Sequence, residues 1–230
     1  MNSTPPLRGP RRRTGLLWAL AVLWPLGGCF HGQLPARELY RLRLPVAPDS
    51  VEPATADGSA RVLPAGGIAV GPYEAPGLYG DRSIVYRIGD TEYGSYPNRE
   101  WALPLSTMLG MITEDVLRAH PVTADLAVFD PPSPHAYTYL WRGRVLELEE
   151  VDRGSQVFAA VRLDARLVRS SDDSVLWSGT RHFERAVPQG SMPAIVETLS
   201  TLVTQAVTEL AAAARTALAE SAASAARGSP

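Results

Sequence analysis

The 230-residue sequence contains no lysine, so all 22 of its lysine-plus-arginine positions are arginines. This absence excludes mechanisms that need a lysine amine, including the phosphate-binding lysine of a P-loop, a Schiff-base lysine and a Ser-Lys catalytic pair. Cysteine is nearly absent as well, because Cys29 is the only one. A chain with one cysteine forms no internal disulfide, so its fold depends on the burial of apolar side chains.

Long hydrophobic runs are also lacking. The most apolar segment, residues 15–26, has roughly a dozen residues, whereas a helix that crosses a bilayer needs about 18 or more. Four arginines precede this run, and Gly27 and Gly28 follow it. A basic start, a short apolar core and small residues are typical of a secretory signal peptide, which we predict for residues 1–28.

The single cysteine lies directly after this segment. Leu26, Gly27, Gly28 and Cys29 resemble the bacterial lipobox, in which the cysteine is lipidated and the chain is cleaved before it. A buried structural thiol is the alternative for a lone cysteine, but the position of Cys29 favours lipidation. Several acyl chains on one residue hold a folded domain at a membrane, whereas one chain gives only marginal binding. We predict a lipidated tether over residues 29–37.

The charge balance disfavours nucleic acid as a partner. Removal of residues 1–28 takes away four of the 22 arginines and none of the 24 acidic residues, so the remaining chain is acidic. Proteins that bind nucleic acid depend on an excess of basic residues to neutralise phosphates.

Hydrophobic periodicity predicts an α+β fold. Alternating apolar residues indicate strands, and apolar residues at helical spacing indicate two amphipathic helices. The predicted strands cover residues 38–44, 67–73, 83–96 (a hairpin turning at Gly89 and Asp90), 123–129, 137–148 (with a bulge at Gly143), 155–168 and 174–183. The predicted helices cover residues 102–119 and 191 to about 215. We expect a mainly antiparallel sheet with two amphipathic helices packed on one face.

This pattern places one domain between residues 38 and 215. Residues 45–65 hold four prolines and little hydrophobic pattern, which predicts a long loop. Residues 216–230, rich in alanine and serine, are predicted to be a flexible tail. In the strand at 155–168, Leu163 and its alternating apolar neighbours are predicted to face the core, while Arg162 and Arg166 face solvent.

Motifs for catalysis or metal binding are not found in the sequence. The four histidines lack metal-ligand spacing, and neither a G-x-S-x-G nor a G-x-G-x-x-G motif is present. Asp172 and Asp173 fit a turn, and Glu147, Glu149 and Glu150 are interpreted as a solvated strand face. We therefore predict no enzyme, no metal and no cofactor.

Residues 84–105 have a composition that none of the features above explains. Tyrosine, tryptophan and arginine crowd the approach to the first helix, namely Tyr86, Arg87, Tyr93, Tyr96, Arg99 and Trp101. They are either core anchors with stacked arginines or an interface, because aromatic and arginine residues dominate binding hot spots. Arg87, Arg99 and Trp101 are the candidate partner-binding residues. Of these we expect Trp101 to be structural and Arg87 to be the strongest candidate for contact.

Four features of the chain recur together in one known family. They are the lipobox, ELYRLRL at residues 38–44, IVYR at residues 84–87, and REWA at residues 99–102 followed by Pro104 at a helix start. In these features the chain resembles the ABC-type transport auxiliary lipoprotein family, the PqiC-like lipoproteins. The resemblance runs from Cys29 to about residue 210, and its most specific part is the segment from IVYR to REWALP.

The resemblance implies a non-enzymatic docking subunit. Family members work with ABC transporters whose substrate-binding parts are MCE-domain proteins and which move lipids between the inner and outer membranes. Phe30 rather than aspartate follows Cys29, which favours the periplasmic face of the outer membrane. The alternative function is a scaffold lipoprotein for outer-membrane or cell-wall assembly. A lipid carrier with an apolar cavity between helices and sheet is a third, and self-association is left open.

Overall fold

The structure is a computed structural model that describes residues 36–43, 63–188 and 190–227, with side chains as far as residue 224. The signal peptide, Cys29 and most of the tether and of the long loop lie outside the described residues. The predictions for them therefore stay predictions.

One sheet and two helices make up the described part of the chain. The strands are β1 (Glu38–Tyr40), β2 (Ile68–Val70), β3 (Ser83–Ile88), β4 (Glu92–Trp101), β5 (Ala127–Phe129), β6 (Tyr139–Arg153), β7 (Gln156–Arg169) and β8 (Val175–Ala186). The helices are α1 (Leu105–Ala119) and α2 (Met192–Arg227), and short 3-10 turns cover Gly77–Tyr79 and Pro134–Ala136. The fold is therefore α+β, as predicted.

The sheet is mixed, so the prediction of a mainly antiparallel sheet is wrong. Four of the seven strand pairings among the described residues are parallel: β1 with β4, β2 with β5, β2 with β6, and β3 with β6. Antiparallel pairing is confined to the β3–β4 hairpin and the β6–β7–β8 meander. The hairpin and the meander were predicted correctly because their strands are close in sequence. The parallel pairs join segments that are distant in sequence, and alternation does not identify such neighbours.

Strand β6 organises the sheet. Along one side it pairs with β7 over nearly its whole length, and along the other side it pairs first with β2 and then with β3. Strands β1, β2 and β5 have only three residues each, which makes them shorter than predicted. Each of them pairs with a neighbouring strand through a parallel ladder of only three residues.

The side chains of β7 alternate between the two faces of the sheet. The helix face carries Ala159, Val161, Leu163, Ala165 and Leu167, all of which are buried in the main core cluster with residues of α1 and α2. The outer face, on the opposite side of β7, carries the exposed residues Arg162 and Arg166. The predicted alternation of β7 is therefore confirmed.

Helix α2 is longer than predicted. It continues to Arg227 instead of ending near residue 215, and it covers most of the predicted flexible tail. Ala214 and Leu218 are buried in the core cluster, so the apolar stripe of the helix continues past the predicted end.

The bulge of β6 lies at Leu146 and not at Gly143. Gly143 keeps regular register with Ala165, and an added Cβ atom there would lie 2.3 Å from the Tyr73 ring, so the glycine makes room for that ring. The register shifts between Val145 and Glu147 instead. A bulge changes which residues of a strand point to each face, and this shift determines where the following glutamates lie.

Candidate functional site

Two adjacent glutamates, Glu149 and Glu150, are buried in the middle of the sheet. Glu150 lies opposite Ala159 and Glu149 opposite Ala160. Residues directly opposite one another on paired strands point to the same side, so Glu150 points to the helix face and Glu149 to the outer face. The interpretation of these two glutamates as a solvated face is wrong. Glu149 does lie on the outer face, but Arg87 and Tyr79 cover it, and Glu150 points to the helix face.

The Glu149 cluster consists of Glu149, Arg87, Tyr79 and Tyr93. Arg87 Nε donates a hydrogen bond of 2.6 Å to Glu149 Oε1, and the Tyr79 hydroxyl donates to Glu149 Oε2. The bond to Glu149 raises the pKa of Arg87, while burial and then the same carboxylate raise the pKa of Tyr79. Arg87 also donates to the carbonyl of Gly89 at 3.0 Å and lies 5.9 Å from the centre of the Tyr93 ring. Glu149 thus fixes an arginine that anchors the hairpin turn.

The Glu150 cluster consists of Glu150, Tyr96, Tyr86 and Arg99. The Tyr96 hydroxyl donates a 2.7 Å hydrogen bond to Glu150, and the Tyr86 and Tyr96 rings are 5.1 Å apart at 58°. The Arg99 guanidinium lies over the Tyr96 ring at 4.9 Å. Burial raises the pKa of Glu150, although the bond from Tyr96 opposes this shift. Its carboxylate is therefore held by a phenol and not by a directly bonded arginine.

The three predicted partner-binding residues differ in exposure. Arg87 exposes 12% of its side chain, and its guanidinium is bonded to Glu149. Trp101 is 1% exposed and lies in the core cluster. Arg99 exposes 37% of its side chain and pairs with Glu38 at 3.2 Å. Arg99 is therefore the most accessible of the three.

Exposed apolar side chains occur on β1 and on both strands of the hairpin. Leu39 is 56% exposed on β1, Ile88 is 42% exposed on β3, and Tyr93 is 49% exposed on β4. We call Leu39, Ile88, Tyr93 and Arg99, the exposed side chains at this edge of the sheet, the hairpin surface; Tyr93 shares the outer face with Arg87, and Arg99 shares the helix face with Tyr96. Sequence reasoning singled out Tyr93 and Arg99, but it missed Leu39 and Ile88. In β1 the predicted apolar face was the one that carries Tyr40, so the sequence pattern did not single out Leu39.

The described residues contain neither a candidate metal site nor a membrane-spanning helix. Within residues 36–43, 63–188 and 190–227, no group of three or more His, Cys, Asp and Glu side chains is arranged to hold a metal ion. None of the described helices is both long and apolar enough to cross a membrane.

Comparison with solved structures shows the same fold elsewhere. A Xanthomonas campestris protein assigned to the DUF330 family superposes with a TM-score of 0.59 at 23% identity, over 81% of this chain and 98% of that chain. A crystal structure described only as an uncharacterized protein superposes with a TM-score of 0.58 at 15% identity, over 77% of this chain and 97% of that chain. At these identities the likeness establishes the fold alone.

Comparison with protein families gives a more specific result. None of the curated proteins matches the chain. The model of the ABC-type transport auxiliary lipoprotein component family matches residues 44–211, which include β2 to β8, α1 and more than half of α2. The chain therefore belongs to the family of ABC-type transport auxiliary lipoprotein components.

Proposed function

We propose that this chain is a non-enzymatic docking subunit of an ABC-type transporter that moves lipids between the inner and outer membranes. Its partner is the MCE-domain protein of that transporter. Lipidation at Cys29 anchors the chain to the periplasmic face of the outer membrane. The observation that carries this proposal is the family match over residues 44–211, which spans most of the sheet and both helices.

The hairpin surface is the proposed docking site. It combines exposed apolar and aromatic side chains with an accessible arginine, which is the composition of protein-binding hot spots. On the two faces of the sheet, hydrogen bonds from Arg87 to Glu149 and from Tyr96 to Glu150 tie β3 and β4 to β6. A surface held by a buried network loses little conformational entropy when a partner binds. In this arrangement Arg87 and Trp101 support the surface, and Tyr93 and Arg99 contact the partner.

A pull-down tests the proposed partner. The tagged full-length lipoprotein is solubilised from membranes in mild detergent, and co-purifying proteins are identified by mass spectrometry. We expect an MCE-domain protein together with the ATPase and permease of an ABC transporter. Recovery of outer-membrane assembly or cell-wall synthesis proteins in their place would contradict the proposal and favour the scaffold function.

Matched variants locate the docking site in the same experiment. Tyr93→Ala and Arg99→Ala are expected to reduce recovery of the MCE-domain protein. Arg162→Ala, which removes an exposed arginine from the outer face of β7, is the control and should leave recovery unchanged. Equal recovery with all three variants would place the interface away from the hairpin surface.

Lipid anchoring is tested at Cys29. The wild-type chain is expected to incorporate radiolabelled palmitate and to fractionate with the outer membrane on a density gradient. Cys29→Ser should block both labelling and processing at this position. A wild-type chain that takes up no label would contradict the lipoprotein assignment of this cysteine.

A further inference from the structure

Three arginines are grouped on the outer face of β6 and β7, at the end of the meander away from the hairpin surface. Arg142 lies directly opposite Arg166, and Arg144 lies opposite Asp164. Each of the three arginine side chains is more than half exposed. Like charges directly opposite one another on paired strands are destabilising. The Arg142 and Arg166 pair is therefore unfavourable unless nearby anions compensate the two guanidinium groups.

The acidic neighbours compensate these arginines unequally. Arg142 donates a 3.0 Å hydrogen bond to Asp173 in the turn between β7 and β8. Arg144 and Arg166 lie 3.9 and 3.7 Å from the carboxylates nearest to them, which is too far for a hydrogen bond. The Thr180 hydroxyl donates to the Asp164 carboxylate that lies beside Arg166. The guanidinium groups of Arg144 and Arg166 thus keep N–H donors available for a ligand.

These side chains line a cavity that adjoins an apolar groove. The cavity encloses about 200 Å³, and its polar lining residues are Glu74, Arg142, Arg144, Asp164, Arg166 and Asp173. The neighbouring groove of about 250 Å³ shares Arg142 and is lined by Leu140, Pro72, Pro131 and Pro134 among others. Val168, which lines the polar cavity, packs with Leu140 in a small apolar cluster. A charged pocket therefore adjoins, at Arg142, a groove that is mostly apolar, although Asp130 and His135 also line it.

We propose that this face binds an amphiphile with a phosphate-type head, which the guanidinium groups of Arg144 and Arg166 hold while the apolar part lies along Leu140 and the prolines. Guanidinium groups match phosphate oxygens through paired N–H donors. The inference does not rest on the proposed function, because the isolated chain would bind this ligand without a transporter.

The charges predict that head and apolar part are both required. The three arginines stand among three carboxylates, those of Glu74, Asp164 and Asp173, so the pocket carries no large net positive charge. The carboxylates offset part of the attraction that the arginines exert on a free phosphate ion, so that the arginines alone hold such an ion weakly. An amphiphile gains additional free energy from burial of its apolar part in the groove.

Calorimetric titration of the full-length lipoprotein in a non-ionic detergent tests the site. The probes, each dissolved in the same detergent, are dihexanoyl-phosphatidylglycerol, dihexanoylglycerol with the same chains but no phosphate, and inorganic phosphate. We expect the phospholipid to bind clearly more tightly than either of the others. Equal binding of inorganic phosphate would indicate a site for free anions. Equal binding of dihexanoylglycerol would indicate that the arginines do not bind the phosphate group of the ligand. Either result overturns the proposal.

Matched variants assign the binding to this face. Arg166→Gln and Arg144→Gln are expected to weaken phospholipid binding by about tenfold or more, because each removes a charge-assisted donor pair. Arg162→Gln is the control, since Arg162 lies on the same strand and face but pairs with Glu147 at 3.4 Å outside the cavity. All three surface variants should keep the wild-type melting temperature. Unchanged binding in Arg166→Gln and Arg144→Gln, or no phospholipid binding by the folded wild type, overturns the proposal.

Discussion

Glu149 and Glu150 are neighbours in the chain and are both buried, yet the protein compensates them differently. Glu149 receives hydrogen bonds from an arginine and a tyrosine on the outer face. Glu150 receives one from a tyrosine on the helix face, and burial raises its pKa. The comparison shows that two adjacent buried carboxylates can be compensated by different donors, an arginine with a tyrosine in one case and a tyrosine alone in the other.

The two clusters consequently have different parts in the fold. The Glu149 cluster joins β6 to the hairpin through Arg87, whose guanidinium also holds the turn at Gly89. The Glu150 cluster joins β6 to β4 through Tyr96 and presents Arg99 above the Tyr96 ring. Loss of the first should therefore cost mainly stability, and changes in the second should depend on pH.

The largest expected effect comes from Glu149→Gln. This change keeps the shape of the side chain but leaves the mostly buried Arg87 with only the exposed Asp90, 3.7 Å away, as an ionic partner. Breaking one partner of a buried pair costs about 3–5 kcal/mol. Urea denaturation measures the loss. Glu147→Gln is the matched control, because its pairs with Arg162 and His182 lie near the surface and are worth about 0–1 kcal/mol. Equal losses in the two variants would mean that the Glu149–Arg87 pair stabilises the fold no more than a surface ion pair does.

A smaller loss is expected from Tyr96→Phe. Removal of the hydroxyl leaves the buried Glu150 carboxylate without its donor, which costs about 1–3 kcal/mol. Tyr93→Phe provides the comparison, since Tyr93 is half exposed, and we expect a change within about 0.5 kcal/mol. A Tyr96→Phe variant as stable as the wild type would show that Glu150 finds another partner.

Glu150→Gln sharpens the comparison through its pH dependence. The pKa of Glu150 is raised in the folded state, so the native chain binds this proton more tightly than the unfolded chain. The favourable contribution of the protonated form is complete below the unfolded pKa of about 4.3 and is lost as pH rises through the raised native pKa. The variant, which does not titrate here, should therefore gain stability relative to wild type as pH rises from about 4 towards neutrality. A difference that stays constant over this range would contradict the assignment.

The smallest effect on stability is expected from Arg99→Ala. Arg99 is partly exposed and pairs with the exposed Glu38, so its removal should leave the melting temperature nearly unchanged. Trp101→Ala, only two positions further along the strand, empties a packed core position and should cost about 3–5 kcal/mol. Differential scanning calorimetry on both variants checks this contrast, and a large loss in Arg99→Ala would make Arg99 a structural residue.

Sequence alone predicted the regular parts of the fold but not the buried glutamates. The alternation of β7 and the β3–β4 turn depend on residues close together in the chain, and both were predicted correctly. Glu149 and Glu150 are buried because Tyr79, Arg87 and Tyr96, from distant segments, cover and bond them, and no local sequence signal identifies those contacts. The parallel partners of β6 likewise come from distant segments, so local pattern did not identify them.

The hairpin surface itself was predicted only in part for the same reason. Tyrosine and arginine are visible as an unusual composition, but whether each is buried depends on the opposing strand. Arg87 faces Glu149 and is therefore nearly buried, whereas Arg99 pairs with a residue of the short β1 and stays accessible. The residue that sequence favoured for partner contact is thus an arginine bonded to a buried carboxylate of the same chain.

Photo-crosslinking in living cells tests the central claim most directly, which is that the hairpin surface contacts the MCE-domain protein. Benzoylphenylalanine replaces Tyr93, a half-exposed aromatic position, and in a separate strain replaces Thr180 on the outer face of β8. We predict that the chain with the probe at position 93 is crosslinked to the MCE-domain protein and that the chain with the probe at position 180 is not. Crosslinking from position 180 alone, or from neither position in correctly anchored chains, would contradict the account.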